Sequence, residues 1–152
     1  MKQVAIVTGV SGGIGYAVAE KLLENGIAVV GMSRNMAAAP AGEFTYVPGD
    51  VSIRADRERL VDTALKQYGR IDILVNVAGI APKVRADLLE MSEESYDQVM
   101  DINTKGLLFL TQRVAREMIQ NESAQRGSIV NISSLSAYTS SVTYPFLLFS
   151  SS

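Results

Sequence analysis

The chain has no cysteine and no histidine among its 152 residues. Without cysteine there is no disulfide, no thiolate nucleophile and no Cys-ligated zinc. Without histidine there is no Ser-His-Asp triad and no His-ligated metal site. No metal centre is expected. Chemistry must come from Ser, Thr, Tyr, Lys, Arg, Asn or carboxylates, or from a borrowed cofactor. A strong charge of either sign is also lacking. Fourteen basic and 16 acidic residues are interspersed and leave a net charge of −2. That balance argues against a nucleic-acid partner and against a polybasic membrane contact. The apolar runs fall far short of a membrane span. Met1-Lys2-Gln3 leads straight into a strand-like run with no small-residue cleavage site, so a cytoplasmic location is the expectation.

What is present is an ordinary globular balance, 47% hydrophobic and 20% charged, on a length that suits one domain with one core. Residues 3–8, QVAIVT, form a short β-branched run ended by Gly9, which reads as a buried strand. Residues 14–25 show helical spacing, with Ile14, Val18 and Leu22 on one face, Ala17 beside them, and Gly26 at the C-cap. Residues 27–32 are a second apolar run, NMAAAPAG is a loop, and residues 44–47 are a third strand. Residues 54–68 read as an amphipathic helix with Leu60, Val61, Ala64, Leu65 and Tyr68 inward, ended by Gly69. A fourth strand spans 71–75. One long helical pattern then covers 93–120, with Val99, Ile102, Leu107, Leu110, Val114 and Met118 along it. Residues 128–132 read as a fifth, buried strand.

Strands and helices alternate, and the strands are apolar on both faces. The implied fold is α/β, a doubly wound, Rossmann-type parallel sheet of about five strands covered by helices on both sides. Its ligand crevice should lie at the C-terminal ends of the strands. Residues 1–142 form the expected dinucleotide-binding domain. Residues 143–152, TYPFLLFSSS, are an atypical apolar and serine-rich tail.

The first strand runs into TGVSGGIG, residues 8–15, and then a helix. Gly9 can take the tight turn off the strand. Gly13 and Gly15 let backbone approach a pyrophosphate at the positive end of the helix. No Gly-Lys-Ser/Thr follows, so the loop is not a Walker phosphate loop. The alternative is that these glycines only close a strand–helix turn.

TGVSGGIG resembles the T-G-x-x-x-G-x-G cofactor loop of the short-chain dehydrogenase/reductase family, and four more motifs follow in the family's order. GDVS resembles the segment whose Asp meets the adenine ring, here Asp50 with Val51. NVAG at 76–79 resembles the N-N-A-G motif, with Val77 in place of the second Asn. MDINTKG holds the counterpart of the catalytic-site Asn, Asn103. GSIVNISS ends on the counterpart of the catalytic Ser, Ser134. The resemblance covers roughly residues 2–142, and residues 76–141 look most like 3-oxoacyl-carrier-protein reductases. It implies an oxidoreductase that moves a hydride between a nicotinamide cofactor and a small carbonyl or alcohol, with a 3-oxoacyl thioester as one such substrate. It also implies that Thr8, Gly9, Ser11, Gly13, Ile14, Gly15, Asn76, Ala78 and Gly79 surround the cofactor. A homo-oligomer formed through the helix carrying Asn103 and the helix that follows the Ser134 strand in the family, the second of which this sequence lacks, is a further implication.

The second strand ends GMSRN, so Ser33 stands where an NAD-binding fold carries an acid about 20 residues after the glycine loop begins. Arg34 follows, and a guanidinium matches a 2′-phosphate in charge and fork geometry. NADP(H) is expected over NAD(H). The alternative is that Arg34 is a solvated surface residue.

In the resembling family a Tyr hydroxyl is the acid/base, and a Lys four residues later lowers its pKa and holds the ribose. A phenol is a poor acid/base at neutral pH until a nearby cation stabilises phenolate. Here Tyr138 is followed four residues later by Val142 and Tyr144 by Leu148, and no Lys follows Lys105. By the family's spacing the pair would fall near Leu147 and Ser151. Ser134 reads either as the residue that orients substrate or as a polar strand terminus. Asn103 reads either as a catalytic-site amide or as a locally satisfied helix group. The resemblance therefore implies a shortened member, without the family's later strands and helices, whose sheet edge past the fifth strand is uncovered. The alternative to an active oxidoreductase is a catalytically silent nicotinamide-nucleotide-binding module. A structural protein with a vestigial glycine loop is a third reading.

Overall fold

Five short β-branched runs pair as parallel strands in a computed structural model that describes residues 2–80, 88–122 and 126–133. In chain order the elements are β1 (Val4–Thr8), α1 (Gly13–Glu24), β2 (Ala28–Ser33), β3 (Phe44–Pro48), α2 (Arg54–Tyr68) and β4 (Ile73–Asn76). They continue with a 3-10 turn (Leu88–Glu90), α3 (Glu93–Met100), a π-helical segment (Asp101–Gly106), α4 (Leu107–Met118) and β5 (Ser128–Asn131). The strand order is β3-β2-β1-β4-β5. Register is fixed by pairs such as Ile6 with Val30 and Ile6 with Leu74.

Every residue of β1 and β2 is buried, as apolarity on both faces requires. Ile6, Val30 and Leu74 pack with Leu60, Val61 and Ala64 of α2 and with Leu110, Val114 and Met118 of α4. Ala5, Val7, Val29 and Val75 pack with Ala19 of α1, and Val18, Leu22 and Leu23 cover them in part. Helices thus close the sheet from two sides, and the order in which strands are added reverses between β1 and β4, which run parallel. Gly26 and Gly69 end α1 and α2 at φ +75° and +73°, where L side chains are strained. The Gly69 N–H donates to the Leu65 carbonyl at 2.8 Å. Among the described residues no helix is long and apolar enough to cross a membrane.

Four expectations need correction. Of the expected face of α1, Val18 and Leu22 pack partly on the sheet beside the buried Gly15 and Ala19, but Ile14 is 58% exposed and Ala17 is also outside. The helix lies on the sheet through its small residues, which bring the two backbones together. The fourth strand spans Ile73–Asn76, and Asp72 just before it still bonds its neighbours, its N–H donating to the Val4 carbonyl and its carbonyl accepting from the Ser128 N–H, each at 2.8 Å. The Asp72 carboxylate accepts from the Val4 N–H at 2.9 Å and from Arg70 Nη2 at 2.5 Å, anchoring the entry to β1. The long helix is interrupted by the π-helical segment at Asp101–Gly106. Last, β5 is exposed along its whole length. It pairs with β4 on one side, and among the described residues no strand lies beyond it. Apolar composition alone made it look buried. The tail at 143–152 lies outside the described residues.

Candidate functional site

The chain turns sharply off β1 at Gly9, which has φ +76° and donates its N–H to the Met32 carbonyl at 2.8 Å. A side chain there would also meet backbone: a Cβ would lie 3.0 Å from the Ala78 nitrogen. Gly15 is tighter still, since a Cβ on it would sit 2.2 Å from the Gly9 carbonyl oxygen. Gly9 and Gly15 therefore allow α1 to start directly against the ends of β1 and β4. Gly13, at φ +55°, and Gly12 face open space, with nothing within 4 Å of an added Cβ. No side chain caps the N-terminus of α1. Its first N–H groups are left for an outside acceptor, at the positive end of the helix dipole.

These features form one wall of a crevice at the C-terminal ends of the strands, where the strand order reverses. Gly9, Ser11, Ile14 and Gly15 line it from the loop, and Ser33 and Arg34 from the end of β2. Asp50 and Val51 follow β3, and Ala78 and Gly79 follow β4. The exposure of Ile14 now has a reason: it is crevice lining and not core.

The Ser33 hydroxyl donates to the Asn35 carbonyl at 2.7 Å, shaping the turn that presents Arg34. Arg34 is exposed and makes no ion pair among the described residues. Glu43, the next acid along the chain, is paired with Lys2. Asp50 accepts from the Ser52 N–H at 2.9 Å and from its hydroxyl at 2.8 Å. The helix behind grips this turn. Asp56 Oδ2 accepts from the Asp50 N–H at 2.8 Å, and Arg57 Nη1 donates to the Val51 carbonyl at 2.6 Å. Gly106 permits the same approach from the π segment, because a Cβ there would lie 2.6 Å from the Val51 oxygen.

Three candidates stand behind the crevice wall. The Thr8 hydroxyl is buried and accepts from the N–H groups of Val77 and Ala78, each at 3.1 Å. It ties the end of β1 to the end of β4. Asn76 Nδ2 donates to Thr111 Oγ1 at 3.1 Å and to Asn131 Oδ1 at 2.9 Å, joining β4, α4 and β5. Asn103 lies in the π segment, and its amide bonds both backbone groups of Ile80, which lines the crevice. Ser134 lies outside the described residues, as do Tyr138, Tyr144, Leu147 and Ser151. Sequence reasoning missed Arg57 and Gly106. An arginine on the inner side of an amphipathic helix, and a glycine inside a helical run, were the available signals.

A crevice at the switch point of a parallel sheet, with a glycine cradle and an uncapped helix start, defines a dinucleotide-binding α/β protein. A cradle that any Cβ would fill, beside open backbone donors, fits the pyrophosphate of such a cofactor. Residues 3–146 match the model of the family described as short chain dehydrogenase, and the chain belongs to that family of nicotinamide-dependent oxidoreductases. Dehydrogenase/reductase SDR family member 4 of Bos taurus is 38% identical over 146 residues, spanning 90% of this chain and 51% of that protein. The 2-dehydro-3-deoxy-D-gluconate 5-dehydrogenase of Dickeya dadantii is 33% identical over 94% of this chain and 58% of its own length. Among solved structures, a 3-oxoacyl-[acyl-carrier protein] reductase from Brucella melitensis in complex with NAD is 31% identical. It superposes with a TM-score of 0.90, covering 99% of this chain and 63% of that one. The chain therefore spans little more than half the length of the curated relatives it matches.

Proposed function

We propose that the chain is the nicotinamide-binding portion of a carbonyl/alcohol oxidoreductase that takes NADP(H) in preference to NAD(H). The observation that carries this reading is Arg34 at the crevice rim, unpaired among the described residues, with Ser33 in place of a carboxylate. An acid at the end of β2 would repel a 2′-phosphate, and none stands there. Gly9, Ser11, Gly13 and Gly15 would hold the pyrophosphate, with Ile14 against the cofactor body. Asp50 and Val51 would meet the adenine, and Ala78 and Gly79 would pass beside the ribose on the nicotinamide side. When bound, the cofactor supplies or accepts the hydride. Thr8, Asn76 and Asn103 hold the walls in place.

For substrate, a 3-oxoacyl thioester is the favoured member of the carbonyl class, on the likeness of residues 76–141 to reductases of that kind. Ser134 would orient the carbonyl oxygen. Association of copies through α4 belongs to the same reading, supported by Leu108 exposed on that helix and Ile119 exposed just after it.

The absence of any Lys after Lys105 supports a second reading for these 152 residues taken alone: they bind the cofactor and do not turn over. No Tyr-x-x-x-Lys pair is available to move the proton that hydride transfer requires. Titrating the purified chain with NADPH and NADH by nucleotide fluorescence tests the first reading, and NADPH is expected to bind at least tenfold tighter. Equal affinities would remove the 2′-phosphate assignment. An assay on a panel of ketones and 3-oxoacyl thioesters tests the second, with measurable turnover refuting silence.

A further inference from the structure

On the far side of the turn that Arg57 holds, α2 and α4 enclose an open cleft of about 510 Å³. It is not part of the cofactor crevice, although both are bounded by the turn after β3. Arg57 sits at its base, only 7% exposed, with its guanidinium 5.9 Å from the centroid of the Phe109 ring. A buried arginine ordinarily has a carboxylate, because taking the charge from water is costly. Arg57 makes no ion pair with one among the described residues, where its side-chain hydrogen bond, from Nη1, goes to the Val51 carbonyl. No buried side-chain nitrogen among the described residues lacks a partner, so the remaining N–H groups of Arg57 reach solvent through the cleft.

The neighbouring charges sharpen this. Arg54 and Arg116 line the same cleft and make no ion pair among the described residues. The nearby acids are spent on other cations. Glu58, Asp62 and Glu117 pair with Arg113, and Asp101 pairs with Lys105. Burial lowers the Arg57 pKa, Glu58 raises it and Arg54 lowers it further. Three guanidinium groups thus line one cleft, one of them buried, and none of the three is in an ion pair among the described residues; Glu58, the carboxylate that acts on Arg57, is itself paired with Arg113.

We propose that the cleft between α2 and α4 binds a phosphate group, held by Arg54, Arg57 and Arg116. Three fork-shaped donors suit a tetrahedral dianion. The Gln112 side chain, also in the lining, adds a neutral donor, and the Phe109 ring offers a flat surface for an organic body attached to the phosphate.

The purified chain is titrated in low-salt buffer with inorganic phosphate, and separately with phenyl phosphate. The Gln112 side-chain amide and the Arg57 Nε–H are followed by NMR. Saturable shifts at both are expected. Arg54→Gln and Arg116→Gln, exposed residues without side-chain bonds that the fold uses, should each weaken binding about tenfold. Arg34→Gln, at the cofactor crevice, should leave it unchanged. Tighter binding of phenyl phosphate would assign the site to a phosphate ester, and equal binding to the free anion. Shifts confined to the amides of Gly12, Gly13 and Gly15, or wild-type affinity in Arg54→Gln and Arg116→Gln, would overturn the proposal.

Discussion

Asn103 and the backbone of Ile80 hold each other through two bonds. The Ile80 N–H donates to Asn103 Oδ1 at 2.8 Å, and Asn103 Nδ2 donates to the Ile80 carbonyl at 2.9 Å. An amide is the side chain that can both give and accept in this way. The pair fixes the start of the loop after β4 to the π segment, and so sets the wall of the crevice that Ile80 lines.

Replacing Asn103 by Ala leaves both Ile80 groups without these partners in a part-buried position, at a cost of about 1–3 kcal/mol. Asn103→Asp keeps the acceptor but sets a carboxylate oxygen against the Ile80 carbonyl oxygen, so at neutral pH it should also melt below wild type. Thermal melts rank the three proteins. Cofactor affinity should follow the same order, because the crevice wall loosens with the bond. A wild-type melt in Asn103→Asp would contradict the donor–acceptor assignment.

Gly15 is the tightest glycine of the loop. An alanine there would press its Cβ against the Gly9 carbonyl, and backbone on both sides cannot move independently. Gly15→Ala should destabilise by about 1–3 kcal/mol and weaken nicotinamide binding sharply. Gly12→Ala is the matched control: Gly12 has extended backbone and open space around it, so its melt should stay near wild type. Any loss there would appear in cofactor binding alone. Equal melts for the two variants would show that α1 does not pack on Gly9 as described.

The glycine punctuation was legible in the sequence because its physics is local. Gly9, Gly26 and Gly69 have positive φ, and each sits where a strand or helical pattern stops. The boundaries of α2 were legible for the same reason, with a continuous helical stripe running from Leu60 to Tyr68 and a glycine after it. The misreadings have tertiary causes. Ile14 looks like core because it is apolar and helical, but it lies in the crevice, while Gly15 and Ala19 meet the sheet directly and Val18, Leu22 and Leu23 pack partly against it. The apolar residues of β5 implied burial, yet burial depends on what lies beside a strand, which a strand's own sequence does not record. The place of Arg57 on the inner side of α2 marks it as unusual, but nothing local says that a carbonyl six residues earlier will turn back to meet it.

Arg34 should decide which nicotinamide binds. Its removal in Arg34→Ala is expected to weaken NADPH about tenfold and to leave NADH nearly unchanged, since one charge-assisted contact to the 2′-phosphate is lost. Ser33→Asp should go further and reverse the preference, because the new carboxylate can accept from the ribose hydroxyls and repels a phosphate. Paired titrations of both cofactors against both variants check this. An unchanged ratio in Arg34→Ala would make Arg34 a solvated surface residue.

The edge of the sheet carries the last expectation. Ile129 and Val130 of β5 are 40% and 45% exposed, and they point to opposite faces, so neither face of this strand is closed over. Ile132 just after it is exposed as well. An edge strand with free backbone groups and apolar side chains is a template for pairing with another chain, and a lysine on it opposes that pairing. Val130→Lys should therefore lower self-association, read by light scattering across a concentration series, while changing stability by no more than about 0.5 kcal/mol, as at an ordinary surface position. A large drop in melting temperature would mean instead that Val130 is packed in solution, and that β5 is covered by a part of the protein that closes the sheet beyond it.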